Sequence, residues 1–203
     1  MLEVINLECV RGDRTLFKDL NFAADRGTLI ELRGPNGSGK TSLLRIICGL
    51  ATPAAGEVRW QGKNIRALGE EYSGSVAYLG HQNGVKHELS ALENVKLANG
   101  LSGRALTREQ CQELLTRVGL RQQNLPALLL SAGQKRRVAL ARLLSINATL
   151  WILDEVLTSL DDTAIRMTRE LISEHLENGG LAIIATHQEL DLSVQRVQRI
   201  ELA

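Results

Sequence analysis

Eight consecutive residues, Gly34-Pro35-Asn36-Gly37-Ser38-Gly39-Lys40-Thr41, have the types and order needed to hold a chain of phosphates. The run fits GxxxxGK[ST] at every specified position. Its glycines let a loop turn amides inward, Lys40 brings a cation to the terminal phosphates, and the Thr41 hydroxyl offers an oxygen to magnesium. Far downstream, "LWILDE" places Asp154 and Glu155 directly after an apolar run. A carboxylate at the end of a buried strand can hold magnesium, usually through water, and its neighbour can polarise an attacking water. Two adjacent acids alone would also suit a solvated turn. Paired with the phosphate loop they point to phosphoryl transfer from a nucleoside triphosphate.

Two further side chains fall where such chemistry would use them. His187 ends the apolar run "LAIIAT" and should emerge at the same sheet edge, near the γ-phosphate. Gln82 follows the strand-like "SVAYLGH", where a neutral amide could reach the metal or the attacking water. His81, His87 and His175 read as surface or packing residues. A separate run, "LLLSAGQKRRVALARLL", contains Ser131-Ala132-Gly133-Gln134, an S-x-x-Q capping box that opens a helix. A capped helix start is also an anion site, because free amides and the helix dipole favour a negative group. The chain thus carries a second anion site far from a complete phosphate loop.

The elements that must position these residues are legible as a pattern. Short runs rich in branched residues, "LEVINLECV", "TLIELRG", "GEVRWQG", "SVAYLGH", "TLWILDE" and "LAIIATH", read as strands. The last two are nearly continuous apolar, as central strands covered on both faces are. The phosphate loop lies between "LIEL" and the helical "SLLRIICGL". From about 83 to 130 the pattern turns helical, in "LSALENVKLANGL" and "LTREQCQELLTRVGL", each opened by a capping box, Ser90 with Glu93 and Thr107 with Gln110. The expected architecture is a mixed α/β core, 1–82 and 135–203, with a small helical subdomain at 83–134 ending in the Ser131–Gln134 motif.

Composition bounds the rest. A chain of 203 residues with 44% apolar and 23% charged residues is long enough for a sizeable core. A net charge of +1 gives no support to nucleic-acid binding. Cys9, Cys48 and Cys111 show neither a CxxC pair nor zinc spacing, and read as core thiols of a reducing compartment. No window supplies the roughly 20 apolar residues of a spanning helix, so a membrane role must come through partners. There is no CxxCH and no His/Met cluster in an apolar pocket, so no haem is expected to be held by this chain. No heptad run suggests a coiled-coil insertion of the kind a DNA-repair ATPase needs.

The order of phosphate loop, Gln82, "LSAGQ", "LWILDE", "SLD" and His187 resembles the nucleotide-binding subunits of ABC transporters over essentially the whole chain. That resemblance implies an α/β P-loop NTPase fold with a mixed or parallel sheet, an antiparallel β subdomain and a helical insertion, hydrolysing ATP with Mg. Gly34 to Thr41 correspond to the Walker A loop, Gln82 to the Q-loop residue, and Ser131, Gly133 and Gln134 to the signature. Asp154 and Glu155 correspond to the Walker B pair, Asp161 to the D-loop acid and His187 to the switch histidine. Thr41, Gln82 and Asp154 would serve the Mg ion; Glu155, His187 and Gln82 would serve catalysis. The resemblance further implies a two-fold dimer with a second copy, in which Ser131 and Gly133 of one chain close on the γ-phosphate held by the other.

Longer stretches, "WQGKNIR", "YLGHQNGVKHELSALENV" and "LSAGQKRRVALARLLSINATLWILDE", are similar to the ATP-binding subunits of the haem-export system of cytochrome c maturation. This implies a peripheral position on the cytoplasmic face of the bacterial inner membrane, docked through roughly Gln82 to Leu101 on membrane subunits of the CcmB type, with CcmC- and CcmD-like proteins. ATP would drive export of haem or release of a haem-loaded chaperone. An ABC ATPase serving another substrate, or a soluble non-transport one, is the alternative. Two positions depart from the family: Val156 stands where Pro is usual, and no aromatic residue lies near Arg11 to stack on the base.

Overall fold

The computed structural model describes residues 1–103, 105–157, 160–186, 190, 192 and 196–203. They divide into two compact units. One comprises Met1–Tyr78, Ala148–Val156 and Ile172–Ala203; the other comprises Leu79–Asn147 and Leu157–Leu171.

The first unit contains two sheets. Strands β1 (Leu2–Arg11), β2 (Arg14–Ala24), β4 (Ala55–Trp60) and β5 (Lys63–Asn64) form a four-stranded antiparallel sheet in the order β2-β1-β4-β5. Strands β3 (Thr28–Arg33), β6 (Val76–Leu79), β7 (Leu150–Asp154), β8 (Leu181–Ala185) and β9 (Arg196–Glu201) form the second sheet, in the order β6-β7-β8-β3-β9. In that sheet β7–β8, β8–β3 and β3–β9 pair in parallel. Every residue of β7 and β8 is buried, as is β3 up to Leu32. That is the condition their unbroken apolar composition anticipates, since a parallel strand is covered on both faces.

Helix α1 (Lys40–Ile47) begins where the phosphate loop ends. Its Leu43, Leu44, Ile46 and Ile47 join Ile30, Leu32, Ile152 and Ile183 in one core with Leu2, Val4, Phe22, Val58 and Trp60 of the antiparallel sheet. At about 1.5–3 kcal/mol for each fully buried large aliphatic side chain, this cluster anchors the start of α1 between the two sheets. Two short helices, α2 (Ile65–Leu68) and α3 (Glu70–Ser73), follow β5, and buried Tyr72 donates its hydroxyl to Ile47 O at 2.6 Å. That bond closes the end of α1.

The second unit is helical. Helices α4 (Ala91–Leu101) and α5 (Arg108–Arg117) carry the two expected capping boxes, both complete: Ser90 with Glu93, and Thr107 with Gln110. Helix α6 (Ala132–Ser145) opens on a third, Ser131 with Gln134. Helix α7 (Asp162–Glu177) starts in this unit and ends in the first. The sequence sets the helical subdomain at 83–134, whereas the compact helical unit also takes in α6 and the first part of α7. The physical reason is that α6 packs on both α4 and α5, presenting buried Val138, Ala139 and Leu140.

Three strands escape the sequence pattern. In β2 only Phe17, Phe22 and Ala24 are buried, and the β1–β2 register shifts repeatedly, so no clean alternation survives. The two-residue β5 is too short to show a period. Edge strand β9, "RVQRIE", is mostly exposed, and its two apolar residues, Val197 and Ile200, are three apart, so it shows no alternation.

Candidate functional site

The phosphate loop spans the end of β3 and the start of α1, and its glycines are dictated by contact. Gly34 has φ 146°, and a Cβ there would lie 2.3 Å from Leu202 O. Gly39, the N-cap of α1, has φ 102°, and a Cβ would meet Leu16 at 3.1 Å and Phe17 at 3.2 Å. Gly39 has no side chain with which to cap α1, which leaves the first amides of the helix to an anion. Lys40 is buried, and its Nζ donates to Gly34 O at 2.6 Å and Pro35 O at 2.9 Å, which turns the cation into the loop. Ser38 is buried too, its Oγ without a hydrogen-bond partner among the described residues. A buried hydroxyl left unpaired inside a ring of amides and one ammonium matches a phosphate oxygen.

The Thr41 hydroxyl donates to Asp154 Oδ2 at 2.8 Å, across 113 residues of sequence. Asp154 is the last residue of β7 and is 3% exposed. Threonine hydroxyl and carboxylate thus already face each other as two oxygen ligands of magnesium would. No group of three or more His, Cys, Asp or Glu forms a metal cluster among the described residues. The donor set suits an ion that keeps several waters and takes the rest of its oxygens from substrate phosphates.

Glu155 follows in the left-handed region, φ 52°, with its N–H donating to Ala185 O at 2.9 Å. A non-glycine residue held there stores strain, and such strain concentrates at functional sites. Val156, the departure from Pro, is fully buried, so packing fixes this turn.

Two residues beside Asp154 are not assigned to the site by the sequence pattern, which marks Cys48 only as a core thiol. Tyr78 in β6, the strand next to β7, lies by Asp154, and its phenol is pushed up to about 12 by burial and by the Asp154 charge. Cys48, just after α1, is likewise raised to about 12, by burial and by Asp154. A thiol so placed stays protonated and unreactive. The pairing of β6 with β7 is a long-range event, which is why no local motif announces Tyr78.

In the helical unit Ser131 Oγ accepts the Gln134 N–H at 3.2 Å, and Gln134 Oε1 accepts the Ser131 N–H at 2.8 Å. The Gln134 Nε2 continues to Gln122 Oε1 at 3.2 Å. Ser131 is exposed and Gly133 half-buried, so the start of α6 remains open. Asp161 Oδ1 accepts the Ala164 N–H at 2.7 Å, capping α7, and its carboxylate lies 3.4 Å from Arg137 Nη2. Arg137 also donates to Val118 O at 3.1 Å, tying this acid and α5 to the same helix.

Gln82 is exposed, within a segment gripped by α6: Arg136 donates to Gly80 O and Asn83 Oδ1, and Arg142 to Asn83 O and Gly84 O. Burial lowers the Arg142 pKa from its ordinary value. His187 lies outside the described residues. His81 and His87 are exposed, and His175 stacks on Trp151. Arg11 and Arg14 pair across the exposed turn that joins β1 to β2.

Comparison with known proteins supplies independent findings. Residues 17–158 match the ABC transporter family model. The chain is 50% identical, over 99% of its own length and 98% of the relative's, to the cytochrome c biogenesis ATP-binding export protein CcmA of Nitrosospira multiformis. It is similar in structure to an ABC transporter ATP-binding protein of Pyrococcus furiosus, with TM-score 0.85 and 26% identity over 98% of this chain and 96% of that one. An ATP-binding cassette solved as a dimer in a post-hydrolysis state, bound to ADP and Pi, superposes with TM-score 0.83 and 25% identity over 100% of this chain and 96% of that one.

Proposed function

The chain belongs to the ABC transporter family as an ATP-hydrolysing protein, and from that premise we propose that it powers a membrane complex of c-type cytochrome maturation. The single observation that carries the ATPase reading is the Thr41–Asp154 hydrogen bond, which joins the phosphate loop to the carboxylate of β7. The cytochrome c reading is supported by relatives over the full length that carry that name, at 50% identity in Nitrosospira multiformis and 46% in Dechloromonas aromatica.

Lys40, the N–H groups of the Gly34–Thr41 loop other than at Pro35, and the Ser38 hydroxyl bind the phosphates of ATP. Thr41 and Asp154, with Gln82, would hold magnesium, which would supply charge to offset that on the transferred phosphoryl group. Glu155 accepts hydrogen bonding from the attacking water and orients it, and His187 contacts the γ-phosphate. Because phosphoryl transfer is mainly a matter of positioning and electrostatics, these residues act by fixed placement. Ser131, Gly133 and Gln134 present the amide end of α6 to ATP held by a second copy of the chain, with Asp161 beside that contact. Two-fold pairing gives two equivalent composite sites. No helix among the described residues is long and apolar enough to cross a membrane. The chain works at the cytoplasmic face of the inner membrane, on CcmB-like subunits with CcmC- and CcmD-like proteins, and haem or the haem-loaded chaperone is handled by them.

The test is complementation in a bacterium lacking its own such subunit, read as covalent haem in c-type cytochromes, alongside ATPase assays of the purified chain. The wild-type chain restores the cytochromes; Lys40→Ala and Glu155→Gln do not. Glu155→Gln keeps ATP binding, loses about a hundredfold or more in turnover and accumulates an ATP-bound dimer. Unchanged turnover in that variant, or rescue by Lys40→Ala, refutes the assignment.

A further inference from the structure

Gln82 has an exposed side chain on a main chain that is held almost residue by residue. Arg136, 3% exposed, sends Nη1 to Gly80 O at 3.0 Å and to Asn83 Oδ1 at 2.9 Å. Arg142, six residues on and so about 9 Å further along the helix axis, sends Nη1 to Asn83 O at 3.2 Å and Gly84 O at 2.5 Å. The approach is close enough that a Cβ at Gly84, which has φ 60°, would lie 3.3 Å from that guanidinium. Both cations come from α6, the helix whose first residues form the Ser131–Gln134 cap.

The continuation of the segment is fixed to the same unit. Buried Asn94 of α4 accepts the Lys86 N–H at 2.7 Å and donates to Lys86 O at 2.9 Å and Ser90 O at 2.9 Å. Ala127 N–H donates to Leu89 O and Leu128 N–H to His87 O, each at 2.8 Å, just ahead of Ser131. A loop of this length would otherwise sample many conformations, at roughly 1–2 kcal/mol per residue to fix. Carbonyls held by charged guanidinium groups, that of Arg136 buried before Gln82 and that of Arg142 half-buried after it, oppose that freedom on both sides.

We propose that Arg136 and Arg142 are positioning residues for Gln82, clamping the main chain on either side of it to the helix that opens at Ser131. The proposal rests on the reading of Gln82 as a group that serves the metal and the attacking water. Neither arginine touches substrate. Their effect is to make the amide of Gln82 and the signature end of α6 parts of one rigid piece, so that one cannot be displaced without the other.

The experiment uses the full-length chain in five forms: wild type, Arg142→Met, Arg142→Lys, Gln82→Ala and the Gln82→Ala/Arg142→Met double variant. Steady-state ATP hydrolysis and hydrogen–deuterium exchange of the 80–84 segment are measured on each. Arg142→Met is expected to lower kcat about tenfold or more, to leave the KM for ATP within about twofold, and to speed exchange at 80–84. Arg142→Lys, which keeps a charged donor, restores part of kcat. Gln82→Ala lowers kcat, and the double variant falls no further than the lower single one. Unchanged kcat and exchange in Arg142→Met, with Gln82→Ala slowed, overturns the clamp and leaves the Gln82 reading standing. Full kcat in Gln82→Ala overturns that reading, and the proposal with it; fully additive losses overturn the proposal alone. Should Arg142→Met fail to fold, Asn83→Ala removes the Oδ1 acceptor of Arg136 from the opposite side, with the same expected loss of kcat and faster exchange, and wild-type values for both overturn the clamp.

Discussion

Thr41 Oγ1 and Asp154 Oδ2 lie 2.8 Å apart, joined by a hydrogen bond that links the first turn of α1 to the end of β7. The bond is a consequence of sheet order. Strand β8 lies between β7 and β3, and α1 rises from the end of β3 to pack against β7 and β8, which carries its first turn over the Asp154 carboxylate.

The pairing predicts how divalent ions are bound. Asp154→Asn keeps the shape but removes the charge, and affinity for Mn²⁺ in the presence of ATP falls at least about tenfold, a loss that even removing a group which merely orients a ligand would bring. Titration by electron paramagnetic resonance measures it. Equal Mn²⁺ affinity in wild type and variant would contradict the pairing of Thr41 and Asp154 as metal oxygens.

Tyr78→Phe tests the neighbour. It removes only the hydroxyl beside the Asp154 carboxylate, so thermal stability should drop by at most about 1 kcal/mol, the worth of one full hydrogen bond. Metal affinity should fall up to about tenfold, because the carboxylate loses one of the groups that orient it. A variant equal to wild type in both respects shows that Tyr78 is a bystander.

Ser131 separates two roles of one side chain. Ser131→Ala removes the cap and should cost about 1 kcal/mol of stability whether or not nucleotide is present. Ser131→Asp restores the cap, since Asp is an equally good N-cap, but sets a negative charge where a phosphate is to bind. The expected result is normal thermal stability with loss of ATP-dependent dimerisation, followed by gel filtration of the Glu155→Gln background. Normal dimerisation of Ser131→Asp would exclude phosphate contact at this helix start.

His175 gives a pH dependence. Its ring stacks on Trp151 at 3.9 Å with an interplanar angle of 7°, and Nε2 lies 3.3 Å from Leu181 O. Burial, only partly offset by backbone hydrogen bonds, holds its pKa below the ordinary 6.5. The unfolded chain therefore takes up a proton first as pH falls. Stability from this residue is full above about pH 6.5 and declines as pH drops through and below that value. Urea unfolding followed by tryptophan fluorescence should show the decline, and His175→Phe, which keeps a ring against Trp151, should flatten it. An unchanged pH slope in His175→Phe assigns the effect elsewhere.

Features whose cause is local could be read directly from the chain. The boxes at Ser90, Thr107 and Ser131 are written in four residues each and appear as expected, as do the strand and helix on either side of the Gly34–Thr41 run and the apolar runs of β7 and β8. Features set by distant pairing could not. Tyr78 reaches Asp154 only because β6 and β7 are neighbours, and Arg136 and Arg142 look like the solvated charges of an ordinary helix until α6 is laid against the segment around Gln82. The register shifts between β1 and β2, where Asn6 and Asp19 take positive φ, erase the alternation by which β2 would have been recognised.

The backbone of Glu155 has an implication for engineering. Its φ of 52° belongs to a region that Gly and Asn enter with ease and that costs other residues roughly 1–2 kcal/mol. A procedure that optimised this chain for melting temperature alone would replace Glu155 early, and on the role proposed for Glu155 would obtain a sturdier protein that still binds ATP and no longer turns it over. Thermostable variants of this chain should therefore be screened for turnover at every round, with position 155 held fixed.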